Sequence, residues 1–145
     1  MKIVELKVQR ISDVKIPQYA HKGDSGMDLF SAIDCVLKSG ERKLIPAGIK
    51  IAVPLGYEAQ VRPKSGLALK YGISVVNTPG TIDAGYRGEV GVILINHGKE
   101  DFKIEKDSKI AQLVINKVEQ AEIEEVESLD DTSRGDGGFG STGIK

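Results

Sequence analysis

An aspartate lies in a glycine-rich segment between two runs of residues that favour β-strands. Asp83 belongs to the segment 80–89, and the flanking runs are 72–76 and 89–96. A hairpin whose backbone must approach a small molecule needs glycine, and a loop on a rigid scaffold can present a single carboxylate to a ligand. The segment therefore predicts that Asp83 acts as a base on a bound ligand. An ordinary turn is the structural alternative.

Four further segments combine glycine with polar residues suited to phosphate or metal. They span residues 26–29, 62–68, 109–113 and 134–143. One such motif arises easily by chance, whereas five in order within one short domain seldom do. Together with the Asp83 segment, they resemble the five motifs of the trimeric dUTP diphosphatase (dUTPase) family, in family order from about Gly23 to Thr142.

Composition restricts the kinds of partner. The 145 residues fit one domain, and the 20 basic and 21 acidic residues give no global positive field, so we expect no nucleic-acid partner. The N-terminal residues 1–8 contain no long apolar run, so we expect no membrane partner and a cytoplasmic location.

Cys35 is the single cysteine and is expected to be buried filler. With two histidines besides, a soft-metal cluster lacks ligands, and magnesium is the expected cofactor.

Short runs rich in Val and Ile predict an all-β sandwich or barrel. The alternation in 1–8 predicts a half-buried strand with Val4, Leu6 and Val8 inward. The only helix candidate is Ser65–Tyr71, which Gly72 ends. The other predicted strands are 35–38, 48–53, 57–62, 73–76, 89–96, 102–105 and 110–118. The resemblance implies a distorted β-barrel with a jelly-roll-like fold and a homotrimer with three shared active sites.

The C-terminal region cannot build a core, so we divide the chain into a domain at 1–126 and a glycine-rich arm at 127–145. A disordered tail is the alternative. Phe139 is one aromatic residue among glycines, with Arg134 before it. An arm that orders over a ligand would stack the ring on a base and use the guanidinium and glycine amides for phosphate. In the similar family this arm crosses to the site of a neighbouring subunit.

The resemblance implies hydrolysis of dUTP to dUMP and pyrophosphate. Asp83 would take a proton from the water that attacks the α-phosphorus, and positioning must supply much of its effect, since a carboxylate is a weak base. Asp28 would help to hold magnesium through a water, because magnesium keeps several waters and uses substrate phosphates. The alternative for Asp28 is a turn residue beside Gly26.

Several residues are candidates for the phosphates. Ser65 and the Gly66 amide lie at the start of the predicted helix, where an anion is favoured, although Ser65 could also be a plain N-cap. Arg62 and Lys64 supply positive charge, but alternation along a strand means that they need not both reach the site. Gln112 contacts phosphate or is simply exposed to solvent.

Uracil is small enough to be read by backbone groups along a hairpin. By resemblance, Asn77 lies beside the base, and Tyr86 packs under the deoxyribose and excludes a 2′-hydroxyl. The alternative for Tyr86 is that it only covers the hairpin. The implied substrate contacts are Asn77, Gly80, Thr81, Ile82, Tyr86 and Gly91 in the hairpin, and Arg134, Phe139, Gly140, Ser141 and Thr142 in the arm.

Two other functions compete with this one. A dCTP deaminase has a similar fold, but that family usually has a tryptophan and a catalytic glutamate in its third motif, whereas this chain has no Trp and has Tyr86 at the aromatic position. A non-enzymatic binding protein on the same scaffold is the second rival. P-loop and dinucleotide-binding folds are excluded because their glycine motifs are missing or lack the flanking strand and helix.

Overall fold

The computed structural model describes residues 1–145 and is built mainly from β-strands. Eleven strands and one helix follow each other along the chain. They are β1 Lys7–Arg10, β2 Gly26–Phe30, β3 Cys35–Leu37, β4 Arg42–Pro46, β5 Ile49–Ala52, β6 Tyr57–Arg62, α1 Ser65–Tyr71, β7 Ile73–Val75, β8 Gly80–Ile82, β9 Gly91–Asn96, β10 Phe102–Ile104 and β11 Lys109–Lys117.

The strands form four antiparallel sheets. The largest has the order β2-β11-β6-β8, the next has the order β4-β9-β7, and β1-β5 and β10-β3 are two-stranded. The all-β class with one short helix is confirmed. The sheets stay open at their edges, so the strands do not close into one continuous barrel.

The predicted helix is confirmed at Ser65–Tyr71. Gly72 ends it in the left-handed conformation, with φ 71°, and its amide donates to the Ala68 carbonyl at 3.0 Å. A residue with a Cβ is strained in this conformation, which explains why the helix stops at glycine. The helix is seven residues long. No helix of the chain is both long and apolar enough to cross a membrane.

The N-terminal alternation is also confirmed. Val4, Leu6 and Val8 are half-buried, while the residues between them are exposed. The strand itself begins later than predicted, at Lys7, where pairing with β5 starts. Cys35 is half-buried, so its thiol is only partly enclosed, and burial raises its pKa.

The largest sheet has one apolar and one polar face. Its apolar face joins a core cluster of 22 buried residues and includes Leu29, Val61, Ile82 and Leu113. Residues on opposite faces alternate along a strand, so the neighbours of these core positions point away from the core. Four of the candidate residues, Asp28, Arg62, Thr81 and Gln112, lie on that polar face.

Candidate active site

Strand pairing places candidate residues from distant motifs in adjacent rows. Asp28 is opposite Gln112 across β2 and β11, and Gln112 is opposite Arg62 across β11 and β6. Gln60 is opposite Thr81 in the adjoining row. Directly opposed residues share a sheet face. The polar face of the sheet therefore unites residues that are far apart in sequence.

Asp28 is the most enclosed of these side chains, with 6% of its surface exposed. Lys64 Nζ lies 2.5 Å from Asp28 Oδ1, and Lys109 Nζ lies 3.2 Å from Oδ2. Burial raises the pKa of Asp28, but hydrogen bonds and charge from the two lysines outweigh it and hold the pKa below its usual value. Asp28 lies within strand β2, so its interpretation as a turn residue is wrong.

Arg62 and Gln112 are fixed by neighbours on the same face. Arg62 Nε and Nη2 donate to Gln60 Oε1 at 3.0 and 2.7 Å. Gln112 Nε2 donates to the Pro63 carbonyl at 2.9 Å, and the side chain is half-buried. Gly26 makes room for it, because a Cβ there would lie 3.0 Å from Gln112 Cδ.

A cavity of about 530 Å³ opens beside this face. We call it the sheet-face cavity, and it is lined by Gln60, Arg62, Pro63, Ser65, Thr78, Pro79 and Gln112. Hydrogen-bond donors dominate this lining, and Arg62 adds positive charge, so the cavity suits an anion. The N-cap of α1 is Lys64, without a side-chain capping bond, so Ser65 is not the N-cap. The first helical residues are instead exposed next to the cavity.

A second cavity of about 170 Å³ lies in the hairpin. We call it the hairpin cavity, and it is lined by Thr81, Ile82, Asp83, Tyr86, Glu89, Val90 and Gly91. The Asp83 carbonyl accepts from the Tyr86 amide at 3.1 Å, so Asp83 does begin a turn. Its carboxylate is exposed and belongs to no ion pair within the chain. The turn uses the backbone of Asp83 and leaves its carboxylate free for chemistry.

Other hairpin candidates can offer only some of their atoms. The Ile82 side chain is in the core, so only its backbone can face a ligand. Asn77 Nδ2 lies against Gly80, where a Cβ would be 3.3 Å away. The glycine thus lets the Asn77 amide pack close to the start of β8.

The arm residues are not brought to either cavity. Arg134, Phe139, Gly140, Ser141 and Thr142 line neither one. The Phe139 side chain is fully exposed, and Arg134 Nε donates to the Gly137 carbonyl of the arm at 2.9 Å. The last backbone hydrogen bond to the rest of the chain is from the Val118 amide to the Gly56 carbonyl, at 2.9 Å. A single chain does not assemble all the predicted site residues.

The side chains that could ligate a metal ion are few, which limits the kind of ion that can bind. No group of three or more His, Cys, Asp or Glu side chains comes together. Asp28 is a lone carboxylate between two ammonium groups. Magnesium commonly keeps several waters, uses one or two carboxylates and takes its other ligands from substrate phosphates. The residues therefore fit a magnesium ion that arrives with a phosphate ligand, and do not fit an all-protein site.

Sequence reasoning assigned no role to three residues of this region. Lys109 pairs with Asp28, Gln60 orients Arg62, and the Glu89 carboxylate accepts from the Gly48 amide at 3.1 Å. Gln60 could have been found from its position two residues before Arg62, which puts both on one face. The partners of Lys109 and Glu89 are distant in sequence, so no local pattern marks them.

An all-β chain with one cavity that suits an anion and a second that contains an unpaired carboxylate has the parts to bind and hydrolyse a phosphate compound, and the comparisons identify the family. Residues 12–143 match the dUTPase family model. The chain is 59% identical over 144 residues to the deoxyuridine 5'-triphosphate nucleotidohydrolase of Clostridium acetobutylicum, covering 99% of each. It is 60% identical over 141 residues to that of Alkaliphilus metalliredigens, covering 97% of this chain and 98% of the relative. The chain belongs to the dUTPase family.

Solved structures of dUTPases are also similar to this chain. A mutant dUTPase of Staphylococcus bacteriophage 80alpha with dUpNHpp superimposes with a TM-score of 0.90 at 29% identity, covering 97% of this chain and 99% of that one. A mutant dUTPase of S. aureus phage phi11, described with a structural Mg(II) ion, has a TM-score of 0.79 at 28% identity, covering 86% and 97%.

Proposed function

We propose that this chain hydrolyses dUTP to dUMP and pyrophosphate. The observation that carries the proposal is a near full-length identity of 59% to a nucleotidohydrolase of deoxyuridine triphosphate, in a chain that also has the polar cavities such a substrate needs. The sheet-face cavity suits the phosphates, and the hairpin cavity contains the carboxylate. Chemistry and binding are thus divided between two parts of the fold.

The triphosphate binds at the sheet-face cavity. Arg62 and Lys64 supply positive charge, the Ser65 hydroxyl and Gly66 amide donate to phosphate oxygens, and Gln112 adds an amide donor. In the ligand-free chain, both cations are satisfied by Gln60 and Asp28. When the triphosphate binds, phosphate oxygens replace Gln60 and Asp28 as the partners of Arg62 and Lys64. Both cations are therefore paired before and after binding, which limits the desolvation cost.

Asp83 is the general base. It accepts a proton from the water that attacks the α-phosphorus, and its carboxylate has no competing cation in the chain. Phosphoryl transfer needs little covalent help from the protein, so orientation of this water and charge neutralisation supply most of the rate enhancement.

The hairpin selects the base and the sugar. Backbone groups from Gly80 to Ile82, with those of Gly91 on the return strand, face the uracil, and Asn77 lies beside it. Tyr86 packs under the deoxyribose and leaves no space for a 2′-hydroxyl. Position in the hairpin cavity supports these roles for Tyr86 and Gly91.

Magnesium is the proposed cofactor, and Asp28 would help to hold it when it arrives with the triphosphate. When bound, it neutralises charge that develops on the phosphate oxygens. After Lys64 has exchanged Asp28 for phosphate, Lys109 keeps the Asp28 carboxylate ionised and oriented on the polar face.

The proposed active enzyme is a homotrimer with shared sites. The two cavities have no lining residue in common, and the arm reaches neither of them. In this proposal, residues from more than one chain surround one substrate. The arm of one subunit, through Arg134, Phe139, Gly140, Ser141 and Thr142, covers a site on another.

We place the enzyme in the cytoplasm, where its nucleotide substrate is found.

Pyrophosphate release tests the function. Purified protein is assayed with dUTP, dTTP, dCTP and UTP, with and without magnesium. Release from dUTP alone, and only with magnesium, is expected. Ammonia release from dCTP would favour the deaminase instead, and absence of any turnover would favour a binding protein on this scaffold.

A further inference from the structure

The loop after Asp83 places an aromatic ring directly over a glycine. Tyr86 Oη donates to the Glu89 carbonyl at 2.9 Å, which carries the ring across Gly88. A Cβ built on Gly88 would lie 2.6 Å from Tyr86 Cζ and 2.8 Å from Cε1, and closer still to the phenolic oxygen. Real Cβ atoms do not approach other atoms this closely, so any other residue at 88 displaces the ring.

The acceptor of the Tyr86 hydrogen bond is itself fixed to the core. The Gly48 amide donates to Glu89 Oε2 at 3.1 Å. The next residue, Val90, is 1% exposed, and its amide and carbonyl bond to Ile49 and Ala47, both at 2.9 Å. Because these bonds hold the chain on both sides of the Glu89 carbonyl, the ring follows a rigid part of the fold rather than a mobile loop.

The first part of the loop, from Ala84 to Arg87, is held by hydrogen bonds that do not involve Gly88. Arg87 Nη1 donates to the carbonyls of Ala84 and Tyr86, at 2.7 and 2.9 Å. Backbone atoms around Tyr86 are therefore restrained without Gly88. A methyl group at 88 would be relieved mainly by rotation of the Tyr86 side chain, since the conflicting atoms are at its far end.

We propose that Gly88 determines sugar selectivity by acting through Tyr86, with the Glu89 carbonyl as the anchor of the ring. The inference rests on the proposed function and deepens it, because it names what keeps Tyr86 rigid enough to reject a 2′-hydroxyl. A Tyr86 ring that is not held over Gly88 can move aside to admit a 2′-hydroxyl, whereas a ring fixed in this position excludes it. Gly88 is thus a positioning residue that does not itself touch substrate.

The test compares Gly88→Ala with Gly85→Ala. Gly85 lies in the same loop, and a Cβ there meets nothing within 4 Å, so it is a matched control. The measured quantity is kcat/KM for UTP divided by kcat/KM for dUTP. We expect this ratio to rise on the order of tenfold in Gly88→Ala, the size typical of a lost steric discrimination in a pocket. It should stay within about twofold in Gly85→Ala.

A double-mutant cycle separates action through Tyr86 from a general structural effect. Tyr86→Ala should raise the ratio, and adding Gly88→Ala to it should change the ratio no further, because the ring is already gone. Tyr86→Phe keeps the ring but loses the bond to the Glu89 carbonyl, so an intermediate ratio is expected. Additive effects of Tyr86→Ala and Gly88→Ala would overturn the inference.

A nucleotide-free measurement accompanies the kinetics. Nuclear Overhauser contacts between the Tyr86 ring and the residue 88 α-protons should be present in the unaltered chain and in Gly85→Ala, and lost in Gly88→Ala. An unchanged ratio in Gly88→Ala, when Tyr86→Ala changes it, rejects the role of Gly88 but leaves dUTP hydrolysis standing. Absence of dUTP hydrolysis in the unaltered chain rejects the proposed function itself.

Discussion

At the scale of single residues, the charged side chains of the candidate site already have partners without a ligand. Asp28 binds Lys64 and Lys109, and Arg62 binds Gln60. Charged groups that are partly buried are costly unless paired, so this arrangement lets the chain fold before substrate arrives. Asp83 is the exception, since its carboxylate is exposed and has no cation within the chain.

Replacing Asp83 by asparagine tests its role as the base. Asparagine keeps the size and shape of the side chain but cannot accept the proton. We expect kcat for dUTP to fall by about 10²- to 10⁴-fold, the usual contribution of a positioned acid or base. Affinity for the non-hydrolysable analogue dUpNHpp should be nearly unchanged, because the phosphate-binding residues are intact. Near-normal turnover would remove Asp83 from the mechanism.

Asp28 should make the stability of the protein depend on acid. Its pKa is lowered by folding, so between the folded and unfolded pKa values the unfolded chain binds more protons, and unfolding is favoured as pH falls. The stabilisation is present above the unfolded pKa, about 3.9, and is lost as pH falls through the folded pKa. Asp28→Asn should therefore lose less unfolding free energy than the unaltered chain on acidification.

Denaturant unfolding at several pH values between about 3 and 6 measures this difference. Asp131→Asn is the control, because Asp131 carries the same charge but is exposed in the arm. At neutral pH, Asp28→Asn should be less stable by about 1 kcal/mol or more, since Lys64 and Lys109 lose their counter-charge. Parallel pH profiles for Asp28→Asn and the unaltered chain would contradict the ion-pair account.

At the scale of elements, the sequence pattern predicted the strands that are rich in apolar residues. It did not predict β2 and β8, because their Gly and Asp residues are atypical of strands. In β6, Ala59 and Val61 occupy alternate buried positions, and β9 has a continuous apolar run at residues 92–95, whose burial alternates. In contrast, β2 begins at Gly26 and contains Asp28, and β8 is three residues beginning at Gly80. Gly and Asp are depleted in strands, so pairing with β11 and β6, rather than local propensity, makes these segments strands.

The same distinction applies to the site. The motifs predict which residues carry chemistry, but the row from Asp28 to Arg62 exists only because β11 lies between β2 and β6. Lys64 was expected to supply charge to phosphate, yet in the ligand-free chain it is bound to Asp28. A contact between residues 36 positions apart depends on sheet order, which a single sequence does not encode locally.

The arm is an element whose role can be tested by deletion. Removing residues 133–145 should leave folding and assembly intact, because these residues bury little apolar surface, while dUTP hydrolysis collapses. Phe139→Ala alone should lower kcat/KM by about tenfold, the value of one stacked base. Removal of only Ile144 and Lys145 is the matched control. Full activity in the 133–145 deletion would make the arm an ordinary tail.

Protease protection measures the closing of the arm directly. Ordering backbone costs on the order of 1 kcal/mol per residue, so closure requires base stacking and phosphate contacts together. The analogue dUpNHpp should protect the arm from cleavage, whereas deoxyuridine should protect it poorly. Equal protection with and without nucleotide would contradict closure over substrate.

At the scale of the whole molecule, one chain presents the parts of a site in two different cavities and an arm. The sheet-face cavity is lined by Arg62 and the hairpin cavity by Asp83, and the two share no lining residue. The arm makes its hydrogen bonds within itself. A closed ring of three identical subunits brings unlike surfaces of neighbouring chains together, because its contacts are heterologous. Such an assembly can complete three sites at once.

Mixing two inactive variants tests whether sites are shared. Asp83→Asn lacks the base but keeps its arm, and the 133–145 deletion lacks the arm but keeps Asp83. In the proposed assembly, each variant is expected to form inactive homotrimers. If the base and the arm of one site come from different subunits, refolding the two together at equal concentration leaves about a quarter of the sites with both parts intact, since each part is intact in half of the chains. Activity should rise to about that fraction of the unaltered enzyme. If both parts come from one chain, no mixed trimer has a complete site, and the mixture stays inactive at every ratio.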